Sequence, residues 1–195
     1  MSALAISLIV FALVFGGALF GMYVRNALPE GAILQEDTPY SLLAVTAHED
    51  IRSLYLDGRL TGTVDVEHGQ SFSVLQPVLT LPASFRASPG RVLIIGLADG
   101  SLAGAYARLG WTVEAVEVDP EVIRTAFAQF GLAPQDATVF QSDGRSYLRM
   151  GTEQFDVFIL DAFSTGYIPF HLVTREALLL ARKRLAADGM LLLHL

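Results

Sequence analysis

The stretch Val92-Leu-Ile-Ile-Gly-Leu-Ala-Asp-Gly-Ser101 decides the fold. Four consecutive aliphatic residues, Val92 to Ile95, suit a strand buried on both faces. Gly96 and Gly100 then let the backbone turn sharply and approach a ligand closely, and helix-forming residues follow. Strand, glycine turn and helix together read as the opening unit of a nucleotide-binding α/β domain. A tight glycine turn also closes ordinary strand-to-helix connections, so the rest of the chain has to carry the assignment.

Outward from this unit, strand and helix alternate. Strands are expected at Val92–Gly96, Thr112–Val118, Thr138–Gln141, Phe155–Leu160 and Met190–Leu195, and helices at Ser101–Leu109, Pro120–Phe130, Arg145–Met150 and Thr174–Leu185. Such alternation predicts a parallel sheet with helices on both faces. The punctuation agrees: Asp119 can cap the helix that Pro120 opens, Gly110 and Gly131 stand at helix ends, and Asp188-Gly189 reads as the turn into the last strand. The expected domain runs over residues 83–195.

Upstream, Ser41–Ala47, Ile51–Asp57 and Leu60–Val66 are short β-prone runs, and Asp57-Gly58 between two of them is a hairpin signal. They predict a small antiparallel sheet, which with a helix over Ser71–Leu81, kinked or broken at Pro77, occupies residues 38–82. Residues 26–37, with Pro29, Gly31 and three acidic side chains, read as a linker. Ala3 to Val24 is almost uninterruptedly apolar, with no charge until Arg25, and is long enough to span a ~30 Å hydrocarbon core as a helix. Residues 1–25 are therefore expected to be a single-pass anchor rather than a cleaved signal peptide, because no basic residue follows Met1 and no small-x-small site precedes Asn26. Gly16, Gly17 and Gly21 either support packing against another membrane helix or reflect the ordinary glycine content of such helices. Arg25 places the remainder of the chain in the cytoplasm by the positive-inside tendency.

Composition sets bounds. The 195 residues suffice for one domain with an appendage. The hydrophobic fraction of 52% and mean hydropathy of +0.47 owe much to the first two dozen residues. A net charge of −7 argues against a nucleic-acid surface, which needs clustered Lys and Arg. With no cysteine there is neither a disulfide framework nor a thiol nucleophile. No pair among the four histidines, His48, His68 and His171 included, has metal-ligand spacing, and no serine stands in a nucleophile elbow.

Parallel α/β sheets bind ligands beyond the carboxyl ends of their strands, and each of the first four strands ends near a carboxylate: Asp99, Glu117, Asp143 and Asp161. Glu117, about 20 residues after Gly96, is placed to accept the ribose hydroxyls of a nucleoside. Asp143-Gly144 either approaches an adenine edge or forms a turn. Asp161 follows the buried run Phe155–Leu160 and leads into the polar Ser164-Thr-Gly-Tyr167, where it serves as a general base, holds a substrate amine, or caps the turn.

These residues resemble a family. From Glu36 to Leu195 the chain looks like the spermidine synthase (polyamine aminopropyltransferase) family, in particular its membrane-associated bacterial relatives. The resemblance rests on Glu36-Asp-Thr-Pro-Tyr40, Leu54-Tyr-Leu-Asp-Gly58, Val92 to Gly100, Val116-Glu-Val-Asp119, Asp143-Gly144 and Leu160-Asp-Ala-Phe163, in that order. It implies a Rossmann-like domain shared with class I methyltransferases, joined to a small N-terminal β-domain. It implies no tightly bound cofactor, with decarboxylated S-adenosylmethionine (or S-adenosylmethionine) as co-substrate. Gly96, Asp99, Gly100, Glu117, Asp143 and Gly144 become its binding residues: Asp99 at the aminopropyl end, Glu117 at the ribose, Asp143 at the adenine. Asp161 becomes the proton acceptor for an attacking amine such as putrescine.

The chain departs from the family in four places. The glycine turn has fewer glycines; the Asp-x-x-Asp pair becomes Asp161-Ala-Phe-Ser164; the glutamine after Pro-Tyr is Ser41; and Gln70-Ser71 stands where a tyrosine-histidine pair is expected. Losing one carboxylate weakens the hold on a dication by about 1.5–3 kcal/mol, which leaves the acceptor open. A methyltransferase on the same nucleoside site and a catalytically inactive nucleoside-binding or membrane-assembly module are the competing readings. The chain stops at Leu195, two strands short of the methyltransferase-like fold, so either the sequence is a fragment or a homo-oligomeric contact or another partner covers the open sheet edge.

Overall fold

A computed structural model describes residue 29 and residues 31–162 and 169–194. The apolar stretch 3–24, expected as an anchor, lies outside these residues, as does the segment 163–168 that contains Ser164. Among the described residues no helix is long and apolar enough to cross a membrane.

The described residues form two five-stranded sheets. The first is antiparallel and strictly sequential: β1 (Ala32–Asp37), β2 (Leu42–His48), β3 (Ile51–Leu56), β4 (Arg59–Asp65) and β5 (Gln70–Ser71). The hairpin at Asp57-Gly58 forms as expected, with φ of 52° and 73° at its two central residues, the left-handed pair that suits the twist of the flanking strands. β1 corrects the linker reading of residues 26–37. It is an edge strand, paired only with β2 and little buried, so it carries no strong apolar alternation by which to recognise it. The helix expected over Ser71–Leu81 is also corrected. Ser71 pairs in β5, and only α1 (Gln76–Thr80) is α-helical before a 3₁₀ turn at Leu81–Phe85. Pro77 stands in the first turn of α1, where its missing N–H costs nothing, so it opens that helix and does not kink a longer one.

The second sheet is parallel. It contains β6 (Arg91–Ile95), α2 (Ser101–Arg108), β7 (Thr112–Glu117), α3 (Pro120–Gln129), β8 (Thr138–Gln141), α4 (Gly144–Met150), β9 (Phe155–Leu160), α5 (Arg175–Arg184) and β10 (Leu185–Leu193), with strand order β10-β9-β6-β7-β8. The run that decided the fold lies at the centre: Val92 to Ile95 are at most 2% exposed, with β9 on one side and β7 on the other. The chain winds outward from β6 to β8 and then returns to start again at β9, so the strand order reverses between β6 and β9. Ligand crevices of open α/β sheets form at such a reversal.

Successive residues of β6 serve opposite faces. Val92 and Ile94 pack with Ala103, Tyr106 and Ala126 of α2 and α3, while Leu93 and Ile95 pack with Leu148 and Ala181 of α4 and α5. A third cluster joins the sheets: Leu43, Val45, Leu54 and Val64 close over Val122 and Phe130 on α3 and just beyond it. Each such side chain, removed from water, stabilises the fold by about 1.5–3 kcal/mol as an upper figure, so the antiparallel sheet is fastened by its apolar face.

Asp188-Gly189, expected as a turn, falls inside β10. The pairing with β9 breaks register between Leu185 and Met190, and the backbone at Gly189 passes so close to the Phe155 carbonyl that a Cβ would fall 2.8 Å from it. The pair makes an irregularity in a strand that α5 enters without an intervening loop.

Candidate active site

The glycine turn occupies the reversal point. Gly96 has φ of +100°, and a Cβ there would overlap the Asp161 carbonyl, so only glycine lets the ends of β6 and β9 approach this closely. Gly100, φ +78°, opens α2 against Leu132 and Ala126. Between them Ala98 has φ of +49°, a left-handed conformation that costs a residue with a Cβ roughly 1–2 kcal/mol.

Asp99 is 6% exposed, and its Oδ1 accepts from Ser101 N–H at 2.9 Å. Burial, more than any other influence, pushes its carboxyl above the usual range; the Ser101 contacts oppose this, and the charge of Asp161 adds to it. Gly62 of β4 lies directly against the Asp99 carboxyl, so the antiparallel sheet forms one wall of the site. Sequence reasoning missed this contact, because a lone glycine inside a strand carries several meanings.

Glu117, at the end of β7, accepts three backbone N–H groups: Leu97 to Oε2 at 3.0 Å, and Val118 and Asp119 to Oε1 at 2.8 and 3.0 Å. Burial raises its carboxyl and these three donors work against the rise. A carboxylate offers about four acceptor positions, so roughly one remains for a ligand. The side chain thus welds the glycine turn to the end of β7. Its neighbour Asp119 is the expected helix cap, accepting from Glu121 N–H at 2.9 Å, and it also receives the Thr38 hydroxyl from the loop after β1.

Asp143 and Gly144 open α4, so no isolated turn forms there. Asp143 accepts from Ser146 N–H at 2.8 Å and meets His171 Nε2 at 2.8 Å. Burial acts to raise its carboxyl, but the Ser146 and His171 contacts outweigh it and hold the group below the ordinary range. Gly144 is required by packing, since a Cβ would fall 2.6 Å from the Ile95 side chain.

Asp161 follows β9, and its Oδ1 lies 2.7 Å from Nδ1 of His194 at the end of β10. Both side chains are about one-third exposed, at 29% and 31%. Sequence reasoning missed His194, although the rule that selected the four carboxylates reaches it when applied to the fifth strand. Asp99, Glu117 and Asp161 thus meet around one turn, while Asp143 stands at the β8 side with His171. Among the described residues no group of three His, Asp or Glu is placed to hold a metal ion. A separate cleft at the opposite ends of β6 and β9 is lined by Arg86, Asp156 and Asp188, whose charges are spent on one another.

Strand order, a glycine turn at the reversal point and carboxylates at the strand ends define a class I methyltransferase-like Rossmann domain, here with a small antiparallel sheet before it. Within that class the chain is spermidine synthase-like. It is 32% identical over 171 residues to a polyamine aminopropyltransferase of Vibrio vulnificus, covering 82% of this chain and 57% of that protein. A probable spermidine synthase from Corynebacterium glutamicum superposes with a TM-score of 0.72 at 19% identity, over 86% of this chain and 64% of that one. A spermidine synthase in complex with the transition-state analogue AdoDATO superposes with a TM-score of 0.66 at 25% identity, over 82% and 56%. The chain therefore spans between half and two-thirds of the length of these proteins. No protein-family model matches it.

Proposed function

We propose that the chain binds decarboxylated S-adenosylmethionine at the glycine turn and transfers its aminopropyl group to an amine. The observation that carries this reading is the convergence of Asp99, Glu117 and Asp161 on one turn at the β6–β9 reversal, in a chain whose relatives include a polyamine aminopropyltransferase. Glu117 takes a ribose hydroxyl with its remaining acceptor position. Asp99 faces the cationic aminopropyl end, which restores the charge that burial opposes.

Asp161 takes a proton from the acceptor ammonium. The freed nitrogen lone pair attacks the methylene carbon beside the sulfonium, the C–N bond forms as the C–S bond breaks, and sulfur keeps the electron pair, leaving neutral methylthioadenosine. Sulfonium is already a good leaving group, so the protein contributes mainly orientation and one proton acceptor. Since Ser164 replaces the family's second carboxylate, an acceptor with a single ammonium fits as well as putrescine. A membrane anchor at residues 3–24, with the domain on the cytoplasmic side, belongs to the same proposal, and retention in the membrane fraction after an alkaline wash tests it.

Calorimetry with decarboxylated S-adenosylmethionine, S-adenosylmethionine and methylthioadenosine tests the ligand. Preference for the decarboxylated donor supports aminopropyl transfer, preference for S-adenosylmethionine favours methyl transfer, and binding of none of the three defeats both.

A further inference from the structure

The proposed reaction leaves His194 without a part, although its ring nitrogen meets the very carboxylate that takes the proton. Asp161 and His194 end adjacent parallel strands, β9 and β10, whose pairing runs through Leu160↔Leu193, so the backbone itself brings the two side chains together. The His194 backbone N–H also donates to the Leu160 carbonyl at 3.0 Å, which fixes the residue beside Asp161 before any side-chain contact is made. Across the glycine turn the charge of Asp161 reaches Asp99, and α5, which flanks β10, carries Arg175 and Glu176 in its first turn.

We infer that His194 is a positioning residue for Asp161. Its imidazole, as the Nδ1–H tautomer, donates to Oδ1 of Asp161, and this orients the carboxylate with its second oxygen left for the acceptor ammonium. The inference rests on the aminopropyl-transfer reading, and it adds a donor that orients the proton acceptor in the acceptor half of the site.

The test uses the full chain with H194N, which keeps a donor but does not titrate, H194A, which keeps neither, and D161N. Imidazole ¹⁵N shifts are expected to show His194 as the Nδ1–H tautomer in the unsubstituted chain, with that preference lost in D161N. An Nε2–H tautomer indifferent to D161N overturns the inference. In the transfer assay, H194A should lose at least about tenfold in kcat/KM, the scale of a hydrogen bond to a charged group, and H194N, which keeps a donor, should recover most of that loss. Methylthioadenosine affinity should be unchanged in both His194 variants. A kcat/KM of H194A equal to that of the unsubstituted chain also overturns the inference. Absence of transfer by the unsubstituted chain defeats the transfer reading instead, and the tautomer measurement then decides the pairing alone.

Discussion

At the ends of β6 and β7 the carboxylates are held by backbone. Glu117 accepts three main-chain N–H groups, Asp99 accepts one and lies against Gly62, and both are raised by burial. At the ends of β9 and β10 the arrangement is the reverse, because Asp161 is met by the side chain of His194 and both keep a share of solvent. Backbone-held groups cannot be exchanged without moving the loops, whereas a side-chain pair can be replaced residue by residue. The contrast teaches that the half proposed for the nucleoside is built into the backbone, while the half proposed for the acceptor rests on side chains that can be exchanged singly.

The sharpest way to break this comparison is Asp161→Asn. Turnover is expected to fall by about 10²- to 10⁴-fold, the scale of lost general-base catalysis, while methylthioadenosine affinity stays within about twofold. A product assay beside calorimetry checks both, and unchanged turnover removes Asp161 from the role. Glu117→Ala should do the converse. It leaves three N–H groups without their acceptor and costs about 1–3 kcal/mol of stability, read as a lowered denaturant midpoint, together with lost nucleoside affinity.

The pH behaviour separates the halves further. Asp99 and Glu117 have raised carboxyls, so their protonated forms suit the fold; that contribution is present below the ordinary carboxylate range and is lost as pH rises through the raised midpoints. Burial disfavours the charged forms of both carboxyls, and a cationic sulfonium beside them offsets that cost better than a neutral thioether. Thermal scans should show decarboxylated S-adenosylmethionine raising Tm above the methylthioadenosine value by a few degrees, roughly 2–4 °C per kcal/mol, with the gap narrowing on acidification. An equal effect of the two ligands at every pH would remove charge from the account. The smallest effect is expected at Ala98→Gly, which relieves a left-handed alanine and should stabilise by about 0.5–1 kcal/mol in a chemical melt.

The parallel sheet was readable because its signals are local. Val92–Ile95 is apolar without interruption, Asp119-Pro120 marks a helix start, and Thr138–Gln141 and Phe155–Leu160 fall at the expected residues. β1 was not readable: an edge strand with one neighbour carries little burial, and the nearby Pro29 and Gly31 suggest a linker. The β10 irregularity escaped because Asp188-Gly189 has the composition of a turn, and only its pairing with β9 shows that the strand has already begun. In the site, the carboxylates were found by the strand-end rule, whereas His171 and His194 matter through partners 28 and 33 residues away, a spacing that no local pattern encodes.

Gly62 bears on recombination between relatives. It faces Leu54 across the β3–β4 hairpin, and its bare backbone is what admits the Asp99 carboxyl beneath the antiparallel sheet. A chimera that grafts a foreign N-terminal sheet onto this Rossmann domain could match every apolar contact on α3 and still fail. With a side chain at that one register position, the graft would press on the Asp99 carboxyl from a module whose apolar contacts all look correct.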